Sequence, residues 1–403
     1  MSDNDVKTDS KYSVFAVFKT FLFLGLTSFG GPVAHLGYFR KELVEKQQWV
    51  SESQYAQLLS ICQFIPGPAS SQLGFALGLI RAGWSGALAA FVAFTFPSII
   101  LLILFAWLLP LLSGDIGVAI IHGLKLVAAV VVADAVWGMF KKLCPDLPRR
   151  IITLVVIIIL LLLDSVWALW AVIILGGVLG GTFCRQSSTE PVSEIKVTYS
   201  QRFGFVLLTV FFVLLLGLIG ISHNGGIVQV MQIFYQAGAL VFGGGHVVLP
   251  LLQESVVTTG LVSNQDFLAG YGASQAIPGP MFAFSAYLGV LMSGGIEQNM
   301  ILVAFVALTF MFLPGFLLVA AVLPLWQGIS NNKTTLNVIA GVNAAVVGLL
   351  ITVLYDPILI TGLTSLFDVF AMVVGILMLN RWQLSPLLVI VWCLLTSAMH
   401  LLI

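Results

Sequence analysis

A short stretch that no helix can pass through occurs twice in this chain, as Gln63-Phe64-Ile65-Pro66-Gly67-Pro68 and as Gln275-Ala276-Ile277-Pro278-Gly279-Pro280. Proline has no N–H to give and disfavours helix in the residue before it, so a Pro-Gly-Pro triplet ends one helix and lets another begin. Each copy lies inside an apolar stretch and follows a glycine cluster, Phe29-Gly30-Gly31-Pro32 in the first case and Phe242-Gly243-Gly244-Gly245 in the second. With 59% of residues apolar and 8% charged, against about 25% charged in soluble domains, the chain is an integral membrane protein. Hydrocarbon tolerates the bare backbone of a broken helix only where protein or a water-filled cavity covers it. The paired breaks are therefore where a bound solute is expected.

Apolar helices are expected at residues 14–28, 84–109 (kinked by Pro97), 116–140, 151–163, 166–183 and 203–221. The early pattern then returns: 227–242, the glycines, 247–252, 267–277, the second Pro-Gly-Pro, 282–292, 300–325 with Pro314 in the place of Pro97, 336–354, 369–379 and 384–403. The expected organisation is a tail over residues 1–11, a repeat over 12–183, a polar linker over 184–202 and a second repeat over 203–403. The fold class is an all-α polytopic membrane protein of two homologous repeats with re-entrant or broken helices at the glycine and Pro-Gly-Pro motifs.

Suppose each break is the tip of a hairpin that enters and leaves on one side. The loop cations, among them Lys11, Arg40, Lys41, Arg81, Lys141, Lys142, Arg149, Arg150, Arg202, Lys333 and Arg381, then share one side, and Asp115, Asp164, Glu254, Asp266, Glu297 and Asp356 the other. The positive-inside rule makes the basic side cytoplasmic, with the N-terminus inside. The single helix 203–221 inverts the second repeat, a recurrent transporter design with its site at the midplane. A rival threading, with residues 14–39 crossing fully, makes the repeats parallel.

Helix N-termini present free N–H groups and a partial positive charge, so opposed tips suit an oxyanion. The candidate substrate-binding residues are Gly30, Gly31, Pro32, Gln63, Pro66, Gly67, Pro68, Ser70, Ser71, Gly243, Gly244, Gly245, His246, Gln275, Pro278, Gly279 and Pro280, with Lys125 neutralising part of the anion's charge. Gln72 and Ser274 add polar atoms nearby. Asp134 lies in the same helix as Lys125 and is read equally as a proton carrier or as a locally paired group. His35 and His246 follow the two glycine clusters; a lone histidine there is more often a packing residue than a ligand. The four cysteines have no metal or disulfide spacing, no cofactor motif occurs, and zero net charge argues against nucleic acid.

The segments 28–40, 62–72, 242–250 and 275–280 together resemble the signatures of the prokaryotic chromate ion transporter family, in its long-chain type with two fused halves. The resemblance runs from about Tyr12 to Asp356. It implies a multi-pass inner-membrane protein that exports chromate and so confers chromate resistance, with sulfate as the similar physiological anion. Partners on this reading are the oxyanion, the lipid bilayer and, as candidates, protons and a second copy of the chain. A membrane chromate reductase is the rival enzyme reading and a channel the rival transport mode; no dinucleotide fingerprint or cysteine cluster supports the first.

Overall fold

The computed structural model describes residues 13–111, 114–163, 166–185, 197–221, 225–241, 248–294, 299–330 and 332–400. Among these residues every regular element is helical.

The chain opens with α1 (Val14–Thr27), capped by the Ser13 hydroxyl. Gly30 and Gly31 then take φ of 97° and 77°, a left-handed turn that side chains resist, and α2 (Gly31–Phe39) begins. It continues through a π-wound turn, Arg40–Lys46. The Phe21 and Phe39 rings meet at 5.5 Å and Thr20 lies 3.5 Å from Gln47, so α2 folds back along α1. A full crossing of residues 14–39 is excluded by these contacts, and with it the parallel threading.

A Ser51/Gln54 capping box starts α3 (Glu52–Phe64). Pro66 forces Ile65 into extended backbone (ψ 153°), and Gly67 reverses the chain at φ 126°. Next comes α4 (Ala69–Leu108), in which Ala82 and Gly83 are non-helical. The apolar run Ala69–Leu111 looks like one span by length, yet the break divides it into a short limb, 69–81, and a long limb, 84–108. A Cβ on Gly78 would stand 2.5 Å from the Gly86 carbonyl, so the limbs fold against each other. The Arg81 guanidinium lies 4.9 Å above the Trp49 ring, which puts the start of α3 and the end of the short limb on the same side. The first Pro-Gly-Pro is thus a re-entrant tip, its 13-residue α3 reaching only about 20 Å.

The first half closes with α5 (Gly114–Leu143), α6 (Leu147–Leu162) and α7 (Val166–Phe183), and α8 (Gln201–Gly220) crosses once. In the second half α9 (Gly226–Leu240), α10 (Val248–Val256), α11 (Asn264–Ala276), α12 (Phe284–Met292) and α13 (Met300–Val322) follow the order of α1 to the long limb of α4. The Tyr287 hydroxyl donates to the Asp266 carbonyl at 2.7 Å, so this second break also enters and leaves on one side. Trp107, at the end of the long limb of α4, donates to Met300 Sδ at the start of α13. Trp84, at the other end, has its ring 5.5 Å from that of Tyr199, whose hydroxyl donates to Ala320 O near the end of α13. The two long helices therefore run antiparallel, and the repeats are inverted.

After the short α14 (Trp326–Ser330) come α15 (Lys333–Val353), the turn α16 (Ile360–Gly362), α17 (Leu366–Asn380) and α18 (Pro386–His400). The closing helices are exchanged between halves. Gly341 of α15 seats against Gly176 and Gly180 of α7, Gly348 meets Thr153 of α6, and α5 packs its Gly123 on Cys393 and Leu394 of α18. Small residues allow this close approach of membrane helices. The Asp134 carboxylate accepts from Asn380 Nδ2 at 2.6 Å, a pairing between α5 and α17.

Candidate functional site

The breaks meet across the inversion axis. Gly67 of the first Pro-Gly-Pro donates its N–H to the carbonyl of Val241 at 2.6 Å, and Gly279 of the second donates to the carbonyl of Ser28 at 3.0 Å. Ser28 and Val241 hold equivalent places, each just before Phe-Gly-Gly. Each Pro-Gly-Pro tip is therefore docked on the residue that precedes the glycine cluster of the other repeat.

The kinked long helices receive the tips. Pro314-Gly315 of α13 faces the first break, where a Cβ on Gly67 would stand 2.9 Å from Gly315 Cα and one on Gly315 2.9 Å from the Pro68 ring. The Gln72 amide nitrogen bridges the Pro66 and Gly315 carbonyls at 2.8 and 3.0 Å. Pro97-Ser98 of α4 faces the second break, and Ser98 donates to the Pro278 carbonyl at 2.7 Å. An interior proline leaves the carbonyl one turn back unpaired and bends the helix, which makes the room a tip needs.

Several polar atoms at this junction are buried without a hydrogen-bond partner, Ser28 Oγ, Ser71 Oγ, Gln72 Oε1 and Thr95 Oγ1, and the buried His35 ring has at most the Ser28 carbonyl beside it. The His35 ring meets Phe94 edge-on at 5.5 Å, and the Phe94 carbonyl borders Gly279. His35 also faces the Ser28 carbonyl, the group that accepts from Gly279. Buried polar groups of this kind are satisfied by ordered water or by a ligand. The hydroxyls and the imidazole can donate to an anion; Gln72 Oε1 can only accept.

The sequence-derived candidates divide accordingly. Gly30, Gly31, Pro66, Gly67, Pro68, Ser70, Ser71, Gln275, Pro278, Gly279 and Pro280 lie at or beside the crossed tips, Gln275 through an amide oxygen 3.9 Å from where a Gly31 Cβ would be. Pro32 opens α2 beside them. Gly243, Gly244, Gly245 and His246 lie outside the described residues, though Val241 brings the chain to Gly67 just before them. The amides of Gly67 and Gly279 are spent on the other repeat, so the free N–H groups at the first break are those of the opening turn of α4. Ser274 donates to Tyr271 O within its own helix. Gln63 accepts from Lys142 at the basic end of α5. Lys125 lines a separate cavity with His122 and Gln265. Sequence reasoning missed Ser28, Thr95, Ser98 and Gly315. The aligned helix prolines, Pro97 and Pro314, were the signal beside two of them.

On the basic side, Arg40 bonds Glu45 and Glu52, each at 2.7 Å, and the Glu52 contact raises its already high pKa. Arg40 is thereby neutralised more than it is available to attract anions. Glu42 accepts from Lys46 and Gln47 at 2.8 and 2.9 Å, and these bonds, that of Lys46 first, hold its carboxyl below the ordinary 4.5. A depressed carboxyl contributes stability above its unfolded pKa and loses it as pH falls through the folded one. Glu42→Gln is expected to lower stability by about 0.2–1 kcal/mol near neutral pH, with the difference vanishing in acid; thermal midpoints of both proteins across pH check this.

Fold and site together define a class: a multi-pass membrane transport protein of two inverted repeats whose broken helices cross at a shared junction. The comparisons narrow it. A profile described as Chromate transporter matches residues 15–181 and 228–398, and the chain belongs to that family. It is 27% identical to the probable chromate transport protein of Synechococcus elongatus, over 97% of this chain and 96% of that one. It is 26% identical to the chromate transport protein of Pseudomonas aeruginosa, over 91% and 87%, and 27% identical to that of Cupriavidus metallidurans, over 85% and 82%. No solved structure matches the chain. The family is one of transporters, which decides between the transport and reductase readings in favour of transport.

Proposed function

We propose that the chain exports chromate, a tetrahedral dianion resembling sulfate, from the cytoplasm across the inner membrane and so confers chromate resistance. The observation that carries this reading is the crossed docking of the two Pro-Gly-Pro tips, with buried, unpartnered donors gathered around them. The free N–H groups opening α4, the hydroxyls of Ser28, Ser71 and Thr95 and the His35 ring would take the anion's oxygens. The basic side is the cytoplasmic one, and the N-terminus lies there. Residues 12–183 and 203–403 are the two homologous units, interlocked through their exchanged closing helices. Each tip is held by the opposite unit, so the contacts that must rearrange during transport are the ones that shape the site. An inside-negative potential drives a dianion outward by about 2.3 kcal/mol per charge per 100 mV.

The test is accumulation. Cells expressing the chain, exposed to labelled chromate, are expected to hold several-fold less label than cells with an empty vector and to grow at higher chromate. Equal accumulation at equal growth would overturn export.

A further inference from the structure

A cavity of about 300 Å³ opens among α5, α11, α18 and the turn before α17, lined by Val118, His122, Lys125, Gln265, Thr364 and Ser397. It lies in the part of α5 remote from its basic end, toward the side of the membrane where Trp107 meets Met300. Both repeats contribute to it. The crossed tips do not line it.

The polar inventory decides what such a cavity can hold. Asp368 is buried, and its carboxylate is saturated: it accepts from the Thr364 and Ser365 N–H groups, from the Thr364 hydroxyl and from the His122 ring at 2.8–2.9 Å. The Ser397 hydroxyl gives its proton to the Ala119 carbonyl at 2.7 Å. Lys125 is different. Among the described residues it makes no hydrogen bond and no salt bridge, and Asp266 acts on it electrostatically without forming an ion pair. An ammonium within a membrane helix is costly unless something answers its charge. Gln265, exposed beside it, offers a further amide donor. The cavity thus presents unspent donors and the Lys125 charge; Asp368 is tied down, and Asp266, bonded to Ser263, acts on Lys125 from outside the lining.

The geometry points to a second anion-binding site here, separate from the crossed tips, in which Lys125 and Gln265 hold a doubly charged tetrahedral oxyanion of the sulfate class. The ligand class rests on the carrier reading above; the site itself rests on the cavity. The second repeat has Asn343 where the first has Lys125, so the inversion supplies no equivalent charge on the other side.

The test uses purified full-length Val118→Cys protein, whose introduced thiol faces the cavity at a position 55% exposed, while the four native cysteines are buried. Labelling by a hydrophilic maleimide is followed with and without sulfate, which does not oxidise thiols, and with chloride at matched ionic strength. Sulfate is expected to slow labelling saturably and chloride not. Lys125→Gln is expected to raise the half-protecting sulfate concentration about tenfold or more, as loss of a charge-assisted contact entails, and Lys125→Arg to keep most of the protection. Protection by sulfate no better than by chloride, or equal protection in Lys125→Gln, would overturn the site. The readout does not depend on transport: Lys125-dependent protection in a protein that fails to export leaves this site standing and removes only the carrier reading.

Discussion

Gly279→Ala is expected to cut transport severely. Gly279 sits at φ 91°, and a Cβ there would stand 2.1 Å from Ser98 Oγ, 3.1 Å from the Phe94 carbonyl and 3.3 Å from the Gly25 carbonyl. Two of these three atoms are backbone of α1 and α4, which cannot turn away as a side chain can. The left-handed backbone alone costs an L-residue about 1–3 kcal/mol. Displacing Ser98 breaks its bond to Pro278 and leaves a buried carbonyl unpaired, which costs about 1–3 kcal/mol more. The tip can escape only by withdrawing from Ser28, which undoes the junction. Uptake per folded molecule should fall about a hundredfold, the equivalent of roughly 2.7 kcal/mol. Gly67→Ala, at φ 126° against Gly315 Cα, should behave alike. Near-normal uptake by either variant, with gel filtration showing intact protein, would mean that the crossed tips are not the site.

Gly341→Leu is expected to prevent accumulation of folded protein, whatever its effect on the site. A Cβ on Gly341 would lie 2.1 Å from the Gly176 carbonyl and 2.4 Å from Gly180 Cα. Both contacts are backbone of α7, which belongs to the other repeat. Overpacking a core ordinarily costs about 1–3 kcal/mol because side chains shift; here two helices would have to separate, so the cost should reach the top of that range or exceed it. Gly217→Leu on α8 is the control, since nothing lies within 4 Å of its Cβ position. Detergent gel filtration of both variants checks this: a monodisperse peak from Gly217→Leu and none from Gly341→Leu is expected.

These two glycines mark where sequence reading stopped. The Pro-Gly-Pro triplets were legible because proline chemistry is local, and loop charge with the odd helix 203–221 led to inversion. Nothing local says that Gly67 bonds to Val241 or that Gly341 seats between Gly176 and Gly180, since such pairings arise only when the halves are packed together. Lys125 shows the same limit. Its place within an apolar helix flagged it for function, but the direction of its side chain, into a cavity with Gln265 rather than among the tips, depends on how α11 and α18 lie against α5. For His35 the sequence favours packing over a ligand role; the fold packs its ring on Phe94 and also brings it to Ser28 beside the second break. Asp134 had two readings, and Asn380, from the far end of the chain, supplies the local pairing.

The most direct measurement is labelled-chromate uptake into inverted membrane vesicles, comparing the wild-type chain with Pro68→Ala/Pro280→Ala under an imposed potential and with unlabelled sulfate as competitor. Saturable uptake is expected, reduced by sulfate and lost in the double variant at equal protein content. Uptake by the double variant at the wild-type rate would contradict transport through the paired breaks.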